Sequence, residues 1–352
     1  MIRARLLALL PLLAALGLLS GCPRPGEQTS PVAPASQGAG ELVMRVGYFP
    51  NVTHAPAVLG FSQADPTFVQ ALEGKARLET KVFNAGPSAM EALHAQALDL
   101  SFVGPTPAIN AFARGGDVVL IANVANGGAV LVARKGSGLR NVRDLAGKRI
   151  AVPQLGNTQD AVLRSLLLRE GIRLKDQGGD TSVLPVDNPD ILALFQSGQL
   201  DAACVPEPWG ARLELEAGAE LLLDEKALWR EGDYPVTVLV ARKAFLQQHP
   251  DLVRAFVAAL QEKMDTLGWD EPAEATALNA ELKVLTGKEL KSEVLTRALG
   301  RMKFTTVINM EALQAMAQIM KDVGYAKQVP DLTGFVDPSF LPAAAGLTPA
   351  AP

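Results

Sequence analysis

The sequence predicts an α/β protein built as two similar lobes. Three observations carry this prediction. Strand-like and helix-like stretches alternate with short connections, the pattern of a parallel sheet with crossover helices. The alternation breaks at Lys135-Gly-Ser-Gly138 and then starts again. Finally, the stretch Pro87–Val103 aligns without gaps on Pro189–Val205, each reading as helix, Leu-Asp, strand.

The chain opens on Arg3 and Arg5, followed by an apolar run from Leu6 to Leu19. That run has the length of a signal-peptide core and is too short to span a bilayer. It ends in Leu19-Ser-Gly-Cys22, which resembles the lipobox of bacterial lipoproteins. The resemblance implies a signal peptide over 1–21 and a lipidated, palmitate-bearing Cys22. Residues 22–41, rich in Pro, Gly, Ser and Ala, read as a flexible tether with nothing to bury.

The body then starts near Leu42. Strands are expected at Val43–Tyr48, Leu78–Phe83, Leu100–Val103, Val118–Asn123 and Ala129–Ala133. After the break they are expected at Arg149–Val152, 182–186, 201–205 and 220–223, and at Val236–Ala241 beyond a second break at Tyr234-Pro235. The remainder reads as mostly helical, and 326–352 as a C-terminal tail, Pro- and Ala-rich over 329–352 and loose at its end. These breaks divide the chain into one lobe of 42–133 plus 235–325 and another of 134–234, joined by two crossings near Ala133 and Tyr234.

Composition narrows the function. Of the 352 residues, 48% are hydrophobic and 20% charged, enough for two cores. A net charge of −4, no basic run and an aromatic content of 5% argue against nucleic acid as a partner. With Cys22 taken up by the lipid, Cys204 is single, and a buried thiol in a strand is its plain reading. His54, His94 and His249 are scattered, so no metal cluster and no cofactor are expected. No nucleophile elbow, phosphate loop or Cys–His pair is visible, so no catalytic residue is assigned and binding is favoured over catalysis.

The strongest local signal is Arg149–Leu163. Ile150–Val152 are β-formers and Pro153 ends the ladder. Gly156 permits a tight turn, and Asn157 or Thr158 caps a helix carrying Val162, Leu163, Leu166 and Leu167 on one face. Such a helix aims free N–H groups and its positive dipole end beyond the strand, an arrangement suited to an anion. Other strand-end turns share this chemistry: Asn51, Thr53 and His54; Ser88; Thr106; Gly128; Gln159; Glu207 and Trp209. Lys and Arg are absent from them, so an oxyanion would be held by neutral donors and helix ends. Polar residues and glycines at such turns also serve capping alone, so the expectation rests on the set.

At these residues the sequence resembles a known family. Val46-Gly-Tyr-Phe-Pro-Asn-Val-Thr-His-Ala-Pro56, Asp99-Leu-Ser-Phe-Val-Gly-Pro-Thr-Pro107, Asp144–Pro153, Leu155-Gly-Asn-Thr-Gln-Asp160 and Pro206-Glu-Pro-Trp209 look like the solute-binding lipoproteins of ABC importers, of the aliphatic sulfonate, taurine and nitrate type. The resemblance spans roughly 42–325. It implies a two-lobed periplasmic-binding-protein fold of type II, with a small anionic ligand in the cleft. It further implies a monomer outside the cytoplasm, held to a membrane by its lipid and passing ligand to an ABC permease and its ATPase.

The ligand-binding residues it implies are Asn51, His54, Ser88, Thr106, Gly128, Asn157, Thr158, Gln159, Glu207 and Trp209. The head group is expected between the helix starts at Thr106 and Asn157, with Trp209 and His54 on the tail side. Glu207 leaves room for a zwitterion. A sulfonate-type anion is the first reading; nitrate, taurine and a thiamine-precursor-like molecule are the alternatives. An enzyme on the same fold and a docking lipoprotein with an empty cleft are the competing classes.

Overall fold

The computed structural model describes residues 41–266, 268, 272–342 and 347–348. The expected signal peptide, the lipid site Cys22 and the tether up to Gly40 lie outside the described residues. In chain order the strands are β1 (Val43–Tyr48), β2 (Arg77–Val82), β3 (Leu100–Val103), β4 (Val119–Gly127), β5 (Ala129–Ala133), β6 (Arg149–Val152), β7 (Ser182–Pro185), β8 (Ala202–Pro206), β9 (Glu220–Asp224), β10 (Pro235–Ala241), β11 (Met302–Phe304), β12 (Ile308–Asn309) and β13 (Leu347–Thr348).

The strands build two main sheets, ordered β11-β4-β10-β3-β1-β2 and β7-β6-β8-β5-β9. In each, three strands run parallel and the fourth pairs antiparallel to them: β10 against β3, and β5 against β8. Thus β2-β1-β3-β10-β4 in one lobe repeats β7-β6-β8-β5-β9 in the other. The internal repeat is the sequence trace of this. Helices Gly86–His94 and Asn188–Gln196 begin the two aligned stretches, and β3 and β8 end them.

The pairing corrects one boundary. Ala129–Ala133 was assigned to the first lobe, but β5 lies inside the second sheet between β8 and β9. The first crossing is therefore at Gly127-Gly128, not near Ala133. Consecutive apolar residues had hidden the change of sheet, because a strand buried on both faces looks the same in either. Gly127 and Gly128 both take left-handed φ, +77° and +74°. A Cβ on Gly128 would stand 1.9 Å from Met302 Sδ, so the crossing requires glycine on two counts.

Both sheets are covered on both faces. Alternate residues of β10 divide between two clusters: Leu239 and Ala241 with Phe68, Phe102 and Phe256, but Val238 and Val240 with Leu313 and Met316. In β5, Val130 and Val132 face Phe195 and Trp209, while Leu131 and Ala133 face Leu163 and Leu167. Cys204 is buried in β8, as expected, and donates to Glu225 Oε1 at 3.3 Å.

The tail also needs correction over its described part. Phe335 and Phe340 are buried, the Leu120 N–H donates to Phe335 O at 2.8 Å, and Val336 bridges to Leu120. A few apolar residues spaced among Pro and Asp suffice to dock this segment, although its composition reads as loose.

Candidate functional site

The strand ends of the two lobes face one another across a small cavity of about 30 Å³. It is lined by Phe49, Asn51, Thr53, His54, Asn84, Ala85, Gly86, Gly104, Pro107, Pro153, Asn157, Thr158, Gln159, Asn188, Pro206 and Val236. A site of this size has room for the centres of a few water-sized groups. Four helices start at its wall, two from each lobe: Gly86–His94, Pro105–Ala113 after Gly104, Thr158–Arg169 and Asn188–Gln196. Their N-terminal N–H groups and dipoles give the cavity a positive potential without a cationic side chain.

The side chains are aimed by their partners. Trp209 Nε1 donates to Asn51 Oδ1 at 3.0 Å. An indole nitrogen only donates, so Asn51 must turn its Nδ2 elsewhere. Asn157 caps its helix by accepting from Asp160 N at 2.9 Å, and its Nδ2 donates to Gln159 Oε1 at 3.1 Å. Gln159 therefore keeps its Nε2–H₂ free. Phe49 N–H donates to His54 Nδ1 at 3.4 Å, which places the imidazole proton on Nε2. Burial alone pushes the His54 pKa down to about 3, so the ring is a neutral donor. Thr158 Oγ1 and Asn188 Oδ1 are buried and have no hydrogen-bond partner among the described residues. Buried polar groups are normally paired, and both of these residues line the same cavity.

The lobes touch around this cavity. Asn84 Nδ2 donates to Asp187 Oδ1 at 2.9 Å, Ser88 and Gln154 bond at 3.0 Å, and Tyr325 hydroxyl donates to Asp160. A Cβ on Gly104 would lie 2.5 Å from Thr158 Oγ1, so Gly104 lets the two helix starts meet.

Of the ten expected binding residues, Asn51, His54, Asn157, Thr158 and Gln159 line the cavity. Ser88 sits beside it, engaged with Gln154. Thr106 is buried inside its helix start, one residue from the wall; at that helix start Gly104, not Thr106, lines the cavity. Gly128 belongs to the lobe crossing, where its carbonyl accepts from Glu207 N at 2.8 Å. Trp209 packs against Arg212 and reaches the cavity only through Asn51.

Glu207 is the largest displacement. It is fully buried, accepts from Ala211 N at 3.0 Å and pairs with Arg301 at 2.6 Å. Arg301 also meets Glu214 at 2.8 Å. Burial raises the Glu207 pKa, and the Arg301 guanidinium and the Ala211 N–H work against that rise. Its role is to pin the helix Trp209–Ala217 to the first lobe; it does not line the cavity. The expected room for a ligand ammonium at Glu207 is thus already taken by Arg301.

The residues missed were Asn84, Asn188 and Gly104. Asn188 had a signal: it directly precedes Pro189, as Gly86 precedes Pro87, at the start of the repeat.

The NMT1-like family model matches residues 38–282 of this chain. The taurine-binding periplasmic protein of Escherichia coli (strain K12) is 32% identical over 197 residues, which are 55% of this chain and 58% of that protein. A protein of Brucella abortus (strain 2308), named as a binding protein, is 28% identical over 229 residues, 62% of this chain and 69% of its own length. The solved alkanesulfonate-binding protein SsuA from Xanthomonas axonopodis pv. citri, bound to MOPS, shares this fold. Its TM-score is 0.70 at 23% identity, over 84% of this chain and 98% of that one.

Proposed function

This chain belongs to the NMT1-like family, and from that membership we propose that it is the extracytoplasmic substrate-binding component of an ABC importer. It captures a small organic oxyanion of the sulfonate type between its lobes and delivers it to the permease and its ATPase. The observation that carries this reading is the cavity wall: neutral donors from both lobes, four helix starts, and a buried Thr158 hydroxyl without a partner. A sulfonate is ionised near neutral pH and only accepts hydrogen bonds. Preorganised neutral donors in a cavity that shuts around the ligand suit it, since each contact is stronger away from water.

The protein works as a binder and not as an enzyme. Among the lining residues His54 alone titrates, and burial keeps it neutral. The donors come from both lobes, so ligand favours the shut form, and that form is what a permease reads. Lipidation of Cys22 holds the protein at the membrane, and it acts as a monomer.

A thermal-shift screen tests the reading. Alkanesulfonates should raise the melting temperature in a concentration-dependent way, and nitrate, sulfate and thiamine precursors should do so less. Stabilisation by a thiamine precursor alone would reassign the ligand class. Turnover of any bound compound would make the protein an enzyme.

A further inference from the structure

Asn188 points to a second requirement on the ligand, one that rests on the oxyanion reading above and narrows it. The orientation of its amide is fixed by a chain of partners. Asp187 is a carboxylate and can only accept, so Asn84 must turn its Nδ2 toward it, at 2.9 Å. Asn84 Oδ1 then faces Asn188, whose backbone N–H and Nδ2 approach it at 3.4 and 3.5 Å. Asn188 is thereby left with Oδ1 on its remaining side. That oxygen is buried, it has no donor among the described residues, and its residue lines the cavity.

The aimed groups on Asn51, His54 and Gln159 offer protons, and Asn84 Oδ1 is an acceptor already engaged by Asn188. Asn188 Oδ1 is the lining side-chain acceptor that is fixed, buried and without a donor among the described residues. A ligand that only accepts, such as a simple alkanesulfonate or nitrate, leaves this oxygen unsatisfied and buries it further. We propose that the ligand presents a hydrogen-bond donor next to its oxyanion, and that Asn188 Oδ1 receives it. The donor is a hydroxyl or amine on a short chain, or the acidic proton of a monoprotonated phosphonate. Asn188 is then the specificity-determining residue, and Asp187, through Asn84, is its positioning residue across the cleft.

Calorimetric titration with two matched pairs of probes tests this. Isethionate and ethanesulfonate differ by a hydroxyl; methylphosphonate near pH 6 and methanesulfonate differ by an acidic proton. The donor-bearing member of at least one pair should bind at least about tenfold tighter, because a site built around a polar partner rejects the analogue lacking it. The pair that shows the preference identifies the source of the donor. Asn188→Leu should bring the preference to within about threefold of parity. Should that variant not fold, Asp187→Asn carries the test: it lies outside the cavity, frees Asn84 to flip, and should lower the same ratio. Equal binding within both pairs, or a preference unchanged by the substitution, overturns the inference and leaves the oxyanion reading standing. Failure of all four probes to bind overturns both.

Discussion

Two regions at the junction of the lobes hold polar groups away from water in opposite ways. In the cavity the groups are neutral and partly unpaired: Thr158 Oγ1 and Asn188 Oδ1 lack partners among the described residues, and His54 is kept uncharged by burial. Just behind it, where Pro206 gives way to Glu207, the groups are charged and paired, with Arg301 held between Glu207 and Glu214. One residue of chain separates the two regimes. The difference teaches what each region is for. Paired charges fix the second lobe's helix Trp209–Ala217 to the first lobe, whereas unpaired neutral groups leave hydrogen-bonding capacity for something that is not protein.

The comparison breaks most sharply at Arg301. Arg301→Met should leave Glu207 buried without a cation and Glu214 with Arg297 alone, at 3.6 Å, and cost about 3–5 kcal/mol of stability, measured by urea unfolding. Substitutions of the cavity donors should instead cost affinity, with little change in stability. If Arg301→Met unfolds no earlier than the wild type, the pair does not hold the lobes as described.

The second effect is in pH. Burial lowers the His54 pKa to about 3 and raises that of Glu225 to about 7. The signs oppose. As pH falls below about 6.5, the unfolded chain protonates its histidine while folded His54 does not, so stability is lost. As pH falls from about 7, folded Glu225 takes up a proton that the unfolded carboxyl binds only near 4.5, so stability is gained. Between pH 7 and 5 each is worth about 2 kcal/mol, and the two nearly cancel. Glu225→Gln should expose the His54 slope: on going from pH 7 to 5 the variant should lose about 2 kcal/mol more than the wild type. Parallel pH profiles for the two proteins would contradict this assignment of the buried groups.

The smallest effect sharpens the boundary between the regions. Trp209 lies outside the cavity yet aims Asn51 by its Nε1 donor. Trp209→Phe keeps most of the packing and removes that hydrogen bond, worth about 1 kcal/mol. Ligand affinity should fall about fivefold, and stability by no more than about that 1 kcal/mol. An unchanged affinity would mean that Asn51 needs no aiming.

How much of this could be read in the sequence follows from the range of the interactions. The strand–helix alternation, the repeat and the capping at Asn157 are local patterns, and the sheets follow them. The cavity's second-lobe wall, Asn157 to Gln159, was legible because a Gly turn and an N-cap announce a helix start. Glu207 and Trp209 were misplaced for a different reason. Their motif, Pro206-Glu-Pro-Trp209, sits at the right strand end, but the direction of each side chain is set by distant partners. Arg301 is far along the chain, and Asn51 is in the other lobe. The same holds for β5, whose sheet is chosen by pairing with β8 and β9 and not by its own apolar residues.

The claim at the centre is that the helix start at Asn157-Thr158 is one jaw of an anion cleft. Titration calorimetry of the double variant Asn157→Ala, Thr158→Ala against wild type measures it most directly, using the sulfonate or phosphonate that binds wild type best. Loss of the Thr158 hydroxyl, and of the Asn157 side chain that caps the helix start and aims Gln159, should weaken binding by about 30-fold while the fold survives, about 1 kcal/mol for each side chain. An unchanged dissociation constant in a folded double variant would contradict the claim.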